Sequence, residues 1–256
     1  MDAKHWDAVA ANYDKLIFDS LASDLHGHMT EMLDRLASKR KTAADFGCGV
    51  GKYLPALAQR FGHVVAMDHS AECLAIARRR CRHLSRIEFH AFHLGRVQPP
   101  IARVDVGLCV NVLLSPSDRE RRTILQNIHT ALKPGGRLIV LAPSLESALF
   151  TRHRQDDSRR RARKSGSSGM TGAVRFTDHS PRQIADGHLR LNRVLTKHHL
   201  RQELELALNS ASFAVEDVRR LEYDWKNEFD SPPRWMKAPY PWDWLILARA
   251  IGKSSR

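Results

Sequence analysis

The sequence lacks what a membrane span, a disulfide scaffold or a zinc site would require. No apolar run approaches the roughly 20 residues that cross a bilayer. The opening stretch, MDAKHWDAVAANYD, is mixed polar and has no apolar core of a signal peptide. Four cysteines are present, Cys48, Cys73, Cys81 and Cys109. None forms a C-x-x-C pair and none stands at a ligand-like spacing from histidine. Free thiols in a reducing compartment are therefore expected, with no disulfide and no metal site. These absences make a cytoplasmic protein the expectation. No internal repeat is visible.

Hydrophobic residues make up 43% of the 256 residues, enough for a real core in one generous domain. The net charge of +13 invites a nucleic-acid reading. Much of it is local. Arg152 to Lys164, RHRQDDSRRRARK, holds seven Lys/Arg and two Asp, which accounts for +5 of the +13. The remainder is diffuse, and no aromatics are interleaved with the run to make a stacking platform for bases. A charged, mobile loop is the expected state of this run.

Apolar spacing predicts helix over residues 3–38, then an alternation of strands and helices. Thr42 to Phe46, His63 to Asp68, IEFHAF, the apolar run Arg103 to Leu114, and RLIVLAP read as strands. Lys52 to Arg60, a Ser70-capped stretch to Arg82, and Arg119 to Leu132 read as helices. Past Leu145 the pattern breaks into the basic run and SGSSGMTG, a flexible composition. It resumes with a helix from about Lys197, a strand AVEDVRRLEY, a Pro/aromatic loop and a final strand WLILARAI. The expected organisation is one domain over 1–256, with a helical lid at 1–41, a cofactor-binding core at 42–144, a basic flexible insertion at 145–196, and a closing helix with two strands at 197–256. Alternating elements imply a mostly parallel sheet covered on both faces, which binds ligands at the carboxyl ends of its strands.

The stretch AADFGCGVG places Gly47, Gly49 and Gly51 after a strand and ahead of a helix. Open N–H groups in such a turn suit an anionic ligand group. The spacing is G-x-G-x-G rather than G-x-G-x-x-G, and position 52 is Lys, which disfavours a dinucleotide. A phosphate-loop pattern is also absent. Asp68 ends the next strand, and LKPGGRLIV leads into a later one. Together with WDAVAANYD near the start, these motifs resemble the class I S-adenosylmethionine-dependent methyltransferases. The resemblance covers about 43–141 well and the flanks more loosely. It implies a Rossmann-like doubly wound α/β sheet of seven strands with the last strand antiparallel, and S-adenosyl-L-methionine as the cofactor.

The resemblance implies that the Gly47-Cys48-Gly49-x-Gly51 turn meets the methionine part and that Asp45 lies near its ammonium end. Asp68 would take the ribose hydroxyls beside His69, and Tyr13 belongs to the segment folding over the cofactor. Where the family often has an acid for the adenine amino group, this chain offers His93, whose neutral imidazole nitrogen can accept one hydrogen bond, and the Leu94 backbone N–H. A loop histidine without a ligand is the alternative. Asn111, in CVNVLLSP, is expected beside cofactor or acceptor; Asn111-Val112-Leu113-Leu114 stands where resemblance to the amino-methylating nucleic-acid enzymes would require an Asn/Asp-Pro-Pro-aromatic tetrad, which removes that class. No Pro-Cys occurs, which removes the cytosine-C5 class. The expected activity is methyl transfer to a small-molecule acceptor, in a pocket lined by Trp235, Tyr240, Trp242 and Trp244, with His198 and His28 as candidate bases. An RNA methyltransferase using the basic run, or a non-catalytic cofactor-binding module, are the rival readings. No membrane partner is expected.

Overall fold

A computed structural model describes residues 3–165, 179–191 and 194–252. Its elements are α1 (Ala3–Ala10), α2 (Tyr13–Leu16), α3 (His28–Leu36), β1 (Ser38–Phe46), α4 (Leu54–Arg60), β2 (Phe61–Asp68), α5 (Ala71–Arg80), β3 (Ile87–Ala91), β4 (Val104–Val110), α6 (Asp118–Ala131), β5 (Leu132–Pro143), α7 (Leu145–Ser165), α8 (Pro181–Ala185), β6 (His188–Leu191), β7 (Val194–Lys197), α9 (Arg201–Ser210), β8 (Phe213–Glu222) and β9 (Trp242–Ala250).

Seven strands form one sheet in the order β3-β2-β1-β4-β5-β9-β8. The first five run parallel, and β9 is antiparallel to both β5 and β8. Strand order reverses between β1 and β4, so a crevice opens at their carboxyl ends. Successive residues feed opposite faces, as the pleat requires. Ala44, Val65, Val140 and Ile246 pack under α6 and α9. Ala43, Val64, Ile139 and Leu245 pack under α3, α4 and α5. Both faces are buried, which explains why these strands read as continuous apolar runs. The caps are those the sequence offers: Ser70 accepts from the Cys73 N–H at 3.1 Å and Ser117 from the Glu120 N–H at 3.3 Å.

Four expectations fail. The helix over 3–38 breaks into α1, α2 and α3, because 17–27 follows the edge of the sheet in turns. Leu25 N–H there donates to the Glu222 carbonyl at 3.0 Å. β1 also begins at Ser38, inside the stretch assigned to the lid.

The basic run is no loop but part of the 21-residue α7. Its two aspartates hold arginines on one helix: Arg152–Asp156 at 2.9 Å, Arg159–Asp156 at 3.4 Å and Arg161–Asp157 at 3.1 Å. Such pairs at three- and four-residue spacing favour the helix by about 0.2–0.5 kcal/mol each. Most of SGSSGMTG lies outside the described residues.

The helix expected from Lys197 starts at Arg201. His198 and His199 instead follow β7, where the His198 N–H donates to the Gly187 carbonyl at 2.7 Å and the His199 N–H to the Pro143 carbonyl at 2.8 Å. Among the described residues no helix is long and apolar enough to cross a membrane. The four cysteines are free and buried.

Candidate functional site

A cavity of about 600 Å³ opens at the carboxyl ends of the parallel strands. One end is bounded by the glycine turn. Gly47 (φ 89°) and Gly49 (φ 52°) take left-handed backbone that only glycine adopts without strain. A Cβ on Gly47 would stand 2.5 Å from Val112, and one on Gly49 would stand 2.7 Å from the Tyr13 hydroxyl.

The turn's amides are spent internally. The Gly47 and Cys48 N–H groups both donate to the Met67 carbonyl at 2.8 Å, and the Gly49 N–H donates to Asp68 Oδ2 at 2.8 Å. The expected open N–H cradle for an anion is therefore absent from these three positions. The bare backbone serves close approach instead.

Of the residues expected at the cofactor, Tyr13, Asp45, Gly47, Cys48, Gly49, Asp68, His69, His93, Leu94 and Asn111 all border the cavity. Gly51 does not. A Cβ there would meet Ala77 and Leu54 at 3.1 Å, so its role is helix packing. Asp45 is 2% exposed, its Oδ2 has no hydrogen-bond partner, and burial with the nearby Asp68 charge pushes its carboxyl up to about 8. Burial also raises Asp68. Burial pushes the Cys48 thiol well up, which makes it a filler rather than a nucleophile.

His93 and His69 stack with ring centroids 5.1 Å apart. The Gly95 N–H donates to His93 Nδ1 at 3.2 Å, and burial lowers the ring's pKa. The neutral ring thus has its accepting nitrogen occupied and carries its proton on Nε2. It can donate to an adenine ring nitrogen, whereas the expected acceptance from the adenine amino group is ruled out in this arrangement. Asn111 closes β4 at φ 53°, with its N–H on the Leu141 carbonyl at 2.9 Å and its buried Oδ1 without a partner. A non-glycine residue held in left-handed backbone at a cavity wall is strain of the kind that marks functional positions.

The N-terminal segment lies over this end. Trp6, Val9 and Tyr13 border the cavity. The segment is fastened by Asp7, which accepts from Ser70 Oγ at 2.5 Å, and by Lys52. Lys52 Nζ donates to the Ile17 carbonyl at 3.1 Å and lies 3.6 and 3.7 Å from Asp14 and Asp19. From sequence this lysine is only a first-turn residue, and its function as an anchor has no local signal.

The other end of the cavity lies between α7 and the starts of β8's and β9's flanking loops. Ser144, Ser147, Thr151, Gln155, Thr196, His198, Tyr223, Glu228, Phe229 and Asp243 border it. His198 is there as expected, but burial lowers its pKa to about 4, so its ring is neutral. Its Nδ1 has no partner. His28 is elsewhere: its Nδ1 lies 3.4 Å from Arg219, and it does not border the cavity.

The aromatic quartet is also displaced. Trp242 and Trp244 belong to the core, with Arg220 over Trp242 at 4.2 Å. Trp235 packs on Arg154 and Arg161 of α7 at 5.3 and 4.4 Å. Tyr240 adjoins Trp225, Phe229 and Met236. None of the four borders the cavity; the aromatic walls are Trp6, Tyr13, Phe18, Tyr53, Phe92, Tyr223 and Phe229. Aromatic content predicts a wall, but the pleat of β9 sends Trp242 and Trp244 to the core, and Trp235 stays exposed. Glu228 and Asp243 were missed. Asp243 had a signal, an acid inside the apolar strand WDWLILARA; Glu228 had none.

Residues 43–136 match the model of a methyltransferase domain. An uncharacterized 37.1 kDa protein in transposon TN4556 of Streptomyces fradiae is 32% identical over 120 residues, covering 45% of this chain and 34% of that protein. The match thus spans about a third of that relative's length. Two solved structures overlay nearly whole. A SAM-dependent methyltransferase of Methanosarcina mazei has a TM-score of 0.58 at 19% identity, covering 86% of this chain and 97% of that one. The N-methyltransferase NodS of Bradyrhizobium japonicum, in complex with S-adenosyl-L-homocysteine, has a TM-score of 0.59 at 13% identity, covering 96% and 98%. At such identities the likeness is one of fold.

Proposed function

We propose that this chain, which belongs to the class I S-adenosylmethionine-dependent methyltransferases, moves a methyl group from S-adenosyl-L-methionine to a small-molecule acceptor. The observation that carries this reading is the single cavity that runs from the glycine turn to a separate buried polar end under α7. A volume of about 600 Å³ is in the range of small-ligand sites.

The residues fit a cationic cofactor. A phosphate would meet Asp45 and Asp68, and the turn offers it no free N–H at positions 47–49. An ammonium group, by contrast, gives the orphaned Asp45 Oδ2 a partner and favours its charged form. Asp68 would accept from the ribose hydroxyls, with its remaining lone pairs, while still holding the Gly49 N–H. His93 Nε2–H and Leu94 would meet the adenine. Tyr13 would close over the turn. When bound, the sulfonium supplies an already activated methyl group, so the protein's task is to align the acceptor and exclude water.

His198 suits a hydrogen bond from the acceptor better than storage of its proton, because a group titrating near 4 is a weak base at neutral pH. The arginines of α7 that pair with Asp156 and Asp157 are partly neutralised on their own helix, which supports a small acceptor over RNA. The test is release of S-adenosylhomocysteine over a panel of small acceptors. Turnover with at least one of them is expected; turnover with RNA alone would reject the small-acceptor reading.

A further inference from the structure

The chain carries a net charge of +13, yet five carboxylates border its cavity against two cations. Both cations have partners of their own: Lys52 near Asp14 and Asp19, Arg152 on Asp156 at 2.9 Å. Asp45 and Asp68 belong to the cofactor end. Glu228 and Asp243 do not, and among the described residues neither is in an ion pair.

Their setting is built. Tyr223, 7% exposed, donates its hydroxyl proton to Glu228 Oε1 at 2.9 Å. Asp243 is 7% exposed and pairs with Pro143 in the β5–β9 register. His199 N–H donates to the Pro143 carbonyl from the other side. His198 and Asp243 therefore flank the tip of β5. His198 borders the same cavity; its ring N–H is used on the backbone at Thr196, and its buried Nδ1 is left as an acceptor without a partner, an independent sign that a hydrogen-bond donor belongs there. Phe18 and Phe229 supply apolar wall beside these groups.

We infer that the methyl acceptor is a small amine with an apolar body, which enters as an ammonium ion onto Glu228 and Asp243 and donates a hydrogen bond to His198. This inference rests on the methyl-transfer reading. An alcohol would leave the buried Asp243 and the partly buried Glu228 without a cation, and a carboxylate or phosphate would meet their charge. Burial pushes Glu228 and Asp243 each up to about 7, so the pair can take up a proton near neutrality.

The chemistry balances on that transfer. The ammonium gives one N–H proton to the carboxylate pair and keeps the freed electron pair. Its nitrogen forms the new N–C bond as the methyl's bond to sulfur breaks, and that bond's electrons remain on sulfur. The product leaves as a methylammonium ion, and the carboxylic acid returns its proton to water.

The experiment is calorimetry on the full chain saturated with S-adenosylhomocysteine. The probes are an amine series from methylammonium to 2-phenylethylamine and the matching alcohols. We expect the amine to bind at least tenfold tighter than its alcohol somewhere in the series. That preference should be lost in Glu228→Gln and in Asp243→Asn, both still binding S-adenosylhomocysteine as the parent does. No amine preference, or a preference that survives both substitutions, overturns the inference. A parent that fails to bind S-adenosylhomocysteine overturns the methyl-transfer reading itself, and is read separately. If one variant fails to fold, Tyr223→Phe replaces it: loss of the bond to Glu228 Oε1 should weaken the amine and leave the alcohol unchanged.

Discussion

The hydroxyl of Tyr13 lies 2.7 Å from where a side chain on Gly49 would begin. The lid residue and the turn are thus built to one clearance, and neither can change alone. Gly49→Ala should cost about 1 kcal/mol for its left-handed backbone and should also push Tyr13 out of the cavity. We expect affinity for S-adenosylhomocysteine to fall at least about tenfold, which is ~1.4 kcal/mol. Calorimetric titration checks this. An unchanged affinity would detach Tyr13 and the turn from the cofactor.

Lys52 fastens the segment that bears Tyr13. Lys52→Met removes its donation to the Ile17 carbonyl and its pairing with Asp14 and Asp19. Partly exposed pairs are worth ~1 kcal/mol or less, so global melting should move little. Hydrogen exchange of residues 3–20 should speed up while the sheet stays protected. Uniform protection would mean that the lid is held by its apolar contacts alone.

Asp45 gives a pH signature. Its carboxyl titrates at about 8 in the fold, against about 3.9 when exposed. The folded chain binds that proton more tightly than the unfolded chain, so this group lowers stability as pH rises from about 4 to about 8. Without cofactor, Asp45→Asn should melt above the parent at pH 8, with the gap narrowing toward pH 5. Thermal unfolding across that range decides it. A gap that does not vary with pH would remove the buried titration.

The two histidines proposed as bases separate cleanly. His28 lies with Arg219, outside the cavity, so His28→Ala should leave turnover within about twofold of the parent. His198→Phe removes an acceptor from the polar end. Losing one hydrogen bond costs about 0.5–1.5 kcal/mol, so KM for the acceptor should rise about 2- to 10-fold, with less effect on kcat. His198→Asn should restore part of it. Steady-state kinetics on the acceptor found in the panel tests both.

The sheet and the cofactor end were legible in the sequence because both follow local rules. Val64/Val65 and Ile139/Val140 alternate between two buried faces, and the glycines and Asp68 occur in a fixed order along one strand-turn-helix-strand. The turn's electrostatics were not legible, since they depend on the Met67 carbonyl from the neighbouring strand. The basic run is a loop by composition alone, and becomes a helix through aspartates three and four residues from its arginines. The acceptor end was the least visible. Tyr223, Glu228, Asp243 and His198 come from three separate segments that meet only when β9 slots between β5 and β8. The same insertion turned Trp242 and Trp244 into the core, where sequence had placed them around the ligand.

The most direct measurement is titration of the purified, folded chain with S-adenosylhomocysteine, beside Asp68→Ala. Saturable binding by the parent and a loss of at least about tenfold in the variant, ~1.4 kcal/mol, are the predicted results. Absence of binding by the folded parent, or equal affinity in the two proteins, would contradict the assignment of the cavity to this cofactor.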